Sequence, residues 1–204
     1  MLAEDCYYAM LNTAQAVLMF MDIEPPPPSR VYEEVKRNFV EPGLLKHEYA
    51  EWLREIVKIR KKIERRELLD VSGNYVDEWL NKAEKFVNEM HGLLSVLQNA
   101  KKVKIIQRTY DVMLKAATKA LENVNKLPEK EEYFLQAFKN EFVDKRLVPS
   151  YYEEIWVRVE GMKNLADKGE VDKVSYEDVL RIREEVRKFI RDLSKALKKR
   201  ESNL

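Results

Sequence analysis

The residues best placed to do chemistry lie on the third predicted helix in each half of this 204-residue chain. Arg60 follows Ile56 by four residues in an apolar stripe, where another apolar residue is expected, and Glu64 comes four residues later. Lys163 and Asp167 hold the corresponding positions in the second half. Because residues four apart share one face of a helix, each half places a cation and then an acid on an otherwise apolar face.

Two interpretations fit this pattern. In the first, each cation and acid form an ion pair at the edge of the stripe, with the stem of the cation on apolar surface and its charge in solvent. In the second, the two third helices approach one another and form a polar cleft. The residue pattern alone favours the first interpretation and leaves the second open.

Most other chemistries lack their residues in this sequence. There is no glycine-rich phosphate loop, no cysteine and histidine spacing for a metal, and no serine, histidine and aspartate set for nucleophilic catalysis. We therefore expect no metal and no cofactor. The two histidines, His47 and His91, are expected to be surface or capping residues. Cys6 lies in an apolar helical run, which predicts a buried, inert thiol.

Composition limits the class of protein. Hydrophobic residues make up 45% and charged residues 36%, with only 5 Gly and 7 Pro, which favours long helices with solvated faces. A net charge of +1 gives no global field, so any nucleic-acid site must be a local patch. Apolar runs such as Ala14–Met21 are too short to cross a bilayer. The abundance of Lys and Glu is typical of a thermophile.

The cellular compartment is indicated by two further features. A single cysteine cannot form an internal disulfide, which fits a reducing cytoplasm. The first residues include Glu4 and Asp5 instead of a basic segment before an apolar one, so no secretory signal is expected. We therefore predict a cytoplasmic protein that does not associate with a membrane.

An internal repeat is the most informative feature of the sequence. Residues 7–90 placed on residues 110–193 give 18 identities in 84 ungapped pairs, against roughly five expected from ordinary composition. The best-matched segments are Tyr7–Leu11 with Tyr110–Leu114, Phe39–Glu41 with Phe142–Asp144, and Lys85–Glu89 with Lys188–Asp192. A tandem duplication with an offset of 103 residues is predicted.

Each repeat is predicted to hold four helices, bounded by proline, glycine and capping residues. The predicted ranges are about 3–22, 30–40, 47–68 and 73–98 in the first repeat, and 106–125, 132–143, 150–168 and 176–200 in the second. Ser72 and Ser175 are good N-caps, and Ser150 with Glu153 matches a capping box. We expect the fourth helix to run almost directly into the fifth, with a break near Asn99–Lys102, and the sequence does not decide whether the two are continuous. The first helix carries an apolar stripe of Met10, Leu11, Ala14, Val17, Leu18 and Met21.

The predicted fold is therefore all-α, with repeats at 1–100 and 101–204. Because about 100 residues make a thin core, each repeat is expected to need a partner for its apolar faces. Two up-and-down four-helix bundles packed about a pseudo-twofold axis would supply that partner, and would mimic a homodimer within one chain.

Three segments resemble HEPN domains, which are small helical bundles of bacteria and archaea. The run Tyr7–Leu18 is similar to their opening helix, Phe39–Leu45 resembles the corner before their third helix, and the charged run Leu53–Glu67 occupies the place of their motif. The resemblance covers nearly all of the first repeat and, more weakly, the second. It implies tandem HEPN-like bundles.

In active HEPN ribonucleases an arginine is followed after four to six residues by a histidine, and two copies of this motif meet at an interface. Arg60 matches the arginine, and Arg65 stands where the histidine is expected. Lys163 and Lys168 hold these places in the second repeat. Arginine is not deprotonated near neutral pH, and Lys168 would need its pKa lowered by several units to act as a base. The resemblance thus predicts a protein that does not cleave RNA.

Without the histidine, the resemblance still implies a set of positively charged side chains. Arg60, Arg65, Lys163 and Lys168 would line a groove between the repeats that binds a nucleotide or RNA, with Glu64 and Asp167 partly cancelling the charge. Five residues correspond to 140° around a helix, so convergence of all four cations is not required by the sequence.

Two alternatives stay open for the function. HEPN proteins are often fused to, or encoded beside, small nucleotidyltransferases, so this chain is alternatively the partner or detached C-terminal module of such an enzyme, as in a toxin–antitoxin pair. An active metal-independent ribonuclease is the third possibility. The sequence does not indicate the ligand or any further oligomerisation.

Overall fold

Helices account for all the regular structure in the computed structural model, which describes residues 2–67 and 72–201. Across these residues there are seven α-helices and no strand, which confirms the predicted all-α class. The α-helices are α1 (Leu2–Phe20), α2 (Val31–Val35), α3 (His47–Glu64), α4 (Gly73–Asn123), α5 (Phe134–Phe138), α6 (Tyr151–Asp167) and α7 (Tyr176–Glu201). Short π-helical segments, Lys36–Val40 and Lys139–Val143, directly extend α2 and α5. Short 3₁₀ helices, Glu131–Tyr133 and Val171–Lys173, precede α5 and α7.

The chain divides into two compact units, Met1–Leu97 and Gln98–Leu204. The division lies inside α4, which continues through residues 99–102. The predicted break near Asn99–Lys102 is therefore wrong. The segment contains Ala100 and two lysines, which favour helix, and lacks the proline or glycine that ends one.

The first unit is held together by one apolar core. Helix α1 contacts α2 and α3, and the predicted stripe on α1 is buried from Met10 to Leu18. Met21, which we placed in that stripe, is 43% exposed. It is exposed because α1 ends at Phe20 and the backbone turns at Asp22, which has a φ of 61°. The largest buried side chains of this core are Met10, Leu18, Phe39, Leu53, Ile56, Phe86 and Met90.

The second unit has a more aromatic core. Phe138 lies 5.3 Å from Phe189 and 5.6 Å from Trp156, measured between ring centroids. Tyr152 packs edge-on against Phe189 at 5.2 Å, and its hydroxyl donates to Asp192 at 2.7 Å. Rings in such tilted and edge-on arrangements attract each other beyond their burial. These contacts join α5, α6 and α7.

Unusual backbone features recur at the predicted offset of 103 residues. The π-helical segments begin at Lys36 and Lys139. Residues with positive φ also match in pairs, namely Asp22 with Asn125, Gly43 with Arg146, and Arg66 with Gly169. These matches favour the predicted duplication, which stays a prediction, as does the pseudo-twofold packing.

Two of the three predicted helix caps form. The Ser72 hydroxyl accepts from the Tyr75 amide at 3.3 Å, and the Ser175 hydroxyl accepts from the Asp178 amide at 3.0 Å. The capping box at Ser150 is wrong, because the Ser150 side chain makes no capping hydrogen bond. Its intended partner Glu153 instead accepts from Lys139 Nζ at 2.9 Å. The third helix of the first unit ends at Glu64, before its predicted end near residue 68, which lies outside the described residues. That of the second unit ends at Asp167, within one residue of its predicted end.

Arg146 is strained by its position in the corner after α5. Its φ is 56°, a conformation that glycine adopts without penalty and that Gly43 provides in the first unit. Arg146→Gly is therefore expected to raise the free energy of unfolding by about 0.5–1 kcal/mol, measured by urea denaturation. The matched change Gly43→Arg should lower it. A less stable Arg146→Gly variant would contradict the expectation.

Candidate functional site

Arg60 is held between α3 and α1 by several contacts. Its guanidinium lies 5.9 Å from the centre of the Tyr7 ring, within the range of a cation–π contact. Its Nη atoms lie 3.1 Å from Glu64 and 3.3 Å from Glu4. The side chain is 18% exposed, and its buried Nε has no hydrogen-bond partner among the described residues. Arg60 therefore presents a largely neutralised cation with one donor unused.

Lys163 makes the same kind of contacts in the second unit. Its Nζ lies 5.7 Å from the centre of the Tyr110 ring and forms an ion pair with Asp167. Tyr110 is 103 residues from Tyr7, as Lys163 is from Arg60. Both predicted i,i+4 ion pairs thus form, as the first interpretation of the stripe requires. Each unit places the cation of its third helix over an equivalent tyrosine.

The pKa values of Tyr7, Tyr110 and Arg60 are raised by their surroundings. Burial raises the pKa of Tyr7, and burial together with donation to Glu131 at 2.6 Å raises the pKa of Tyr110. The hydrogen bond to Tyr8 is the main cause that raises the pKa of Arg60, with Glu64 and Glu4 adding to it. Both phenol rings therefore stay neutral at physiological pH.

Arg65 and Lys168 lie outside these clusters. Each occupies the C-cap position of its helix, and each is exposed. Arg65 is 70% exposed and lies 3.9 Å from Glu67, while Arg60 is paired with Glu64 and Glu4. Among the described residues of the first unit, Arg60 and Arg65 therefore pair with different carboxylates.

Helix α3 carries a basic face, of which only Arg65 was among the predicted site residues. We call it the α3 basic ridge, and it consists of Lys58, Lys61, Lys62 and Arg65. All four residues are exposed and lie about 100–200° around the helix from Arg60. The sequence feature that could have predicted this face is the run Arg60-Lys61-Lys62-Ile63-Glu64-Arg65-Arg66. The residues 103 further on are Gly161, Asn164, Leu165 and Lys168, so the second unit keeps one of the four cations.

The surroundings of the two histidines and the cysteine fit a structural role. His47 is the first residue of α3, is 58% exposed, and has its Nε2 3.6 Å from Glu51. His91 is exposed on α4. Cys6 is buried in the first core, and burial raises the pKa of its thiol, as expected for an inert residue. Within residues 2–67 and 72–201, no three metal-binding side chains come together.

None of the helices in the described residues has both the length and the apolarity that crossing a membrane requires. Comparison of the chain with protein-family models, with curated proteins and with solved structures finds no match in any of the three. The resemblance to HEPN domains stays a prediction from the segments that carry it.

Proposed function

We propose that this chain is a non-catalytic, HEPN-like helical protein that binds the phosphate groups of RNA or a nucleotide. The binding charge is assigned to the C-terminal ends of the third helices, around Arg60 and Arg65 in the first unit and Lys163 and Lys168 in the second. Glu64 and Asp167 hold Arg60 and Lys163 in place and reduce the net positive charge around them. The exposed cations beside them then supply most of the attraction.

The α3 basic ridge is the observation that carries this proposal. Its four exposed cations fall within eight residues, and Arg60 and Arg66 add to the charge. Exposed lysine and arginine side chains bind phosphates by releasing condensed counterions, which needs no preformed pocket. This gives a local patch in a chain whose net charge is only +1.

The absence of a general base supports binding without cleavage. In the HEPN motif, the position of the histidine is held by Arg65, which keeps its proton at neutral pH. Lys168 holds the same position in the second unit and is exposed to solvent. We therefore expect bound RNA to remain intact.

Removing the ridge tests the proposal. The variant Lys58→Gln, Lys61→Gln, Lys62→Gln, Arg65→Gln is expected to bind a labelled single-stranded RNA of about 20 nucleotides roughly tenfold more weakly at about 50 mM salt. The slope of log K against log salt should become less steep by about 2–3, because each lost contact removes about 0.7. Fluorescence anisotropy across a salt series measures both quantities.

A matched control separates the ridge from net charge. Four other exposed cations of the first unit are changed to Gln, namely Arg30, Arg37, Lys46 and Lys85. The control should keep most of the affinity. Failure of the unmodified chain to bind RNA or a nucleotide would sink the proposal, as would an equal loss in both variants. A second variant, Arg60→Gln with Lys163→Gln, should also weaken binding while circular dichroism shows an intact fold.

A further inference from the structure

We infer that one face of α7 forms a second polyanion-binding surface, which contacts the phosphate backbone of a nucleic acid. The inference rests on the proposed function in that both require a nucleic-acid ligand. It concerns different residues, in the second unit. This α7 basic face consists of Arg187, Lys188, Arg191, Lys195, Lys198 and Lys199.

The six cations form one continuous stripe. At 100° per residue they fall within an arc of about 120°, and at 1.5 Å per residue they extend over about 18 Å. The opposite side of α7 is packed in the cores of the second unit, through Ile182, Val186, Phe189 and Leu193. The stripe therefore faces solvent. Arg187, Arg191 and Lys195 are 64%, 64% and 72% exposed.

The three acids that pair with this face are fewer than its cations and do not neutralise it. Arg187 pairs with Glu184 at 2.7 Å, and Lys188 pairs with Glu185 at 2.9 Å. Asp192 lies 3.7 Å from Lys195 and 3.9 Å from Arg191. Exposed pairs within one helix contribute little free energy, so a phosphate can compete for these cations.

Charge is also divided unequally along the chain. Residues 1–97 hold 13 Lys and Arg against 17 Asp and Glu, whereas residues 98–204 hold 24 against 19. The overall charge of +1 thus conceals an acidic first unit and a basic second unit. Favourable placement of cations at a helix C-terminus explains Lys198, Lys199 and Arg200. It does not explain the cations from Arg187 to Lys195, which lie further from the end.

A nucleic acid fits this face better than a lipid surface does. Helices that bind a bilayer interface present large apolar side chains beside their lysines and arginines. The described residues of α7 include no exposed large hydrophobic side chain. A stripe with several cations in line favours a polymer of regularly spaced phosphates over a single phosphate group.

The test removes four cations of the stripe. Arg187→Gln, Arg191→Gln, Lys195→Gln, Lys199→Gln should lower the affinity for single-stranded RNA of about 20 nucleotides by about tenfold at about 50 mM salt. The slope of log K against log salt should become less steep by about 3. Binding of a mononucleotide should be unchanged, because one phosphate does not need the whole stripe.

The control variant removes four exposed cations from α4 in the same unit, Lys104, Arg108, Lys115 and Lys119. It has the same net charge as the α7 variant and should lose little affinity. Equal losses in the two variants would overturn the inference, because the net charge of the second unit alone would then explain binding. Unchanged binding by the α7 variant would also overturn it, while a loss in the ridge variant would leave the proposed function standing.

The remaining outcomes separate the two proposals. Loss of RNA binding in the α7 variant, with none in the ridge variant, would support this surface and refute the ridge. Binding to vesicles that contain phosphatidylserine, without binding to RNA, would overturn the inference in favour of a membrane. All three variants are checked by circular dichroism before binding is measured.

Discussion

Lys102→Met is expected to lower the free energy of unfolding by about 2–4 kcal/mol. Lys102 is 6% exposed, and its Nζ donates to the carbonyl oxygens of Val171 and Val174, both at 2.9 Å. These carbonyls belong to the first residue of the 3₁₀ helix between α6 and α7 and to the residue directly after it. Hydrogen bonds to a charged donor contribute more than neutral ones, and methionine would fill the space without replacing them.

Urea denaturation followed by circular dichroism and tryptophan fluorescence measures this effect. Lys104→Met serves as the control, because Lys104 is exposed on the same helix and should change stability by less than about 0.5 kcal/mol. Equal or greater stability of Lys102→Met would mean that the desolvation of the buried ammonium outweighs its two hydrogen bonds.

Trp156→Ala is expected to lower the free energy of unfolding by about 3–5 kcal/mol. Trp156 is 1% exposed, and its ring packs against Phe138 and Phe189. Its Nε1 also donates to Glu160 at 2.8 Å. Truncation would leave a cavity among three helices as well as removing apolar contact. Thermal and urea unfolding by circular dichroism measure the change.

Two variants make this prediction specific. Trp156→Phe keeps the aromatic contact and loses the hydrogen bond. Its free energy of unfolding should therefore fall by less than about half as much as that of Trp156→Ala. Trp52→Ala changes a tryptophan that is only partly buried and should also have a smaller effect. A loss of less than about 1 kcal/mol for Trp156→Ala would show that the core closes around the missing ring.

The sequence predicted several features that local chemistry decides, although the capping box at Ser150 did not form. The helix starts after Ser72 and Ser175 were predicted from capping residues, and the ion pairs Arg60–Glu64 and Lys163–Asp167 from helical spacing. These features depend on residues within one or two turns. The placement of Arg60 over Tyr7 was not predictable in the same way, because it depends on how α1 meets α3.

The burial of Lys102 was not predicted from the sequence. Lys101 and Lys104 lie beside it, and the three residues look alike in the sequence. A signal was present, because Lys102 precedes the buried Ile106 by four residues and so lies on its face of the helix. The composition of this helix face does not indicate a buried lysine. Nor does the composition of the segment about 70 residues away, whose carbonyl groups accept from Lys102.

The π-helical segments carry information about descent. A π turn holds one more residue than an α turn, and such turns are rare. They begin at Lys36 and Lys139 and are followed by the left-handed residues Gly43 and Arg146 at the same spacing. If the two units arose from one ancestor, that ancestor already possessed the extra residue before its gene doubled. A present-day single-unit relative should then show the same widened turn, seven residues before a left-handed corner.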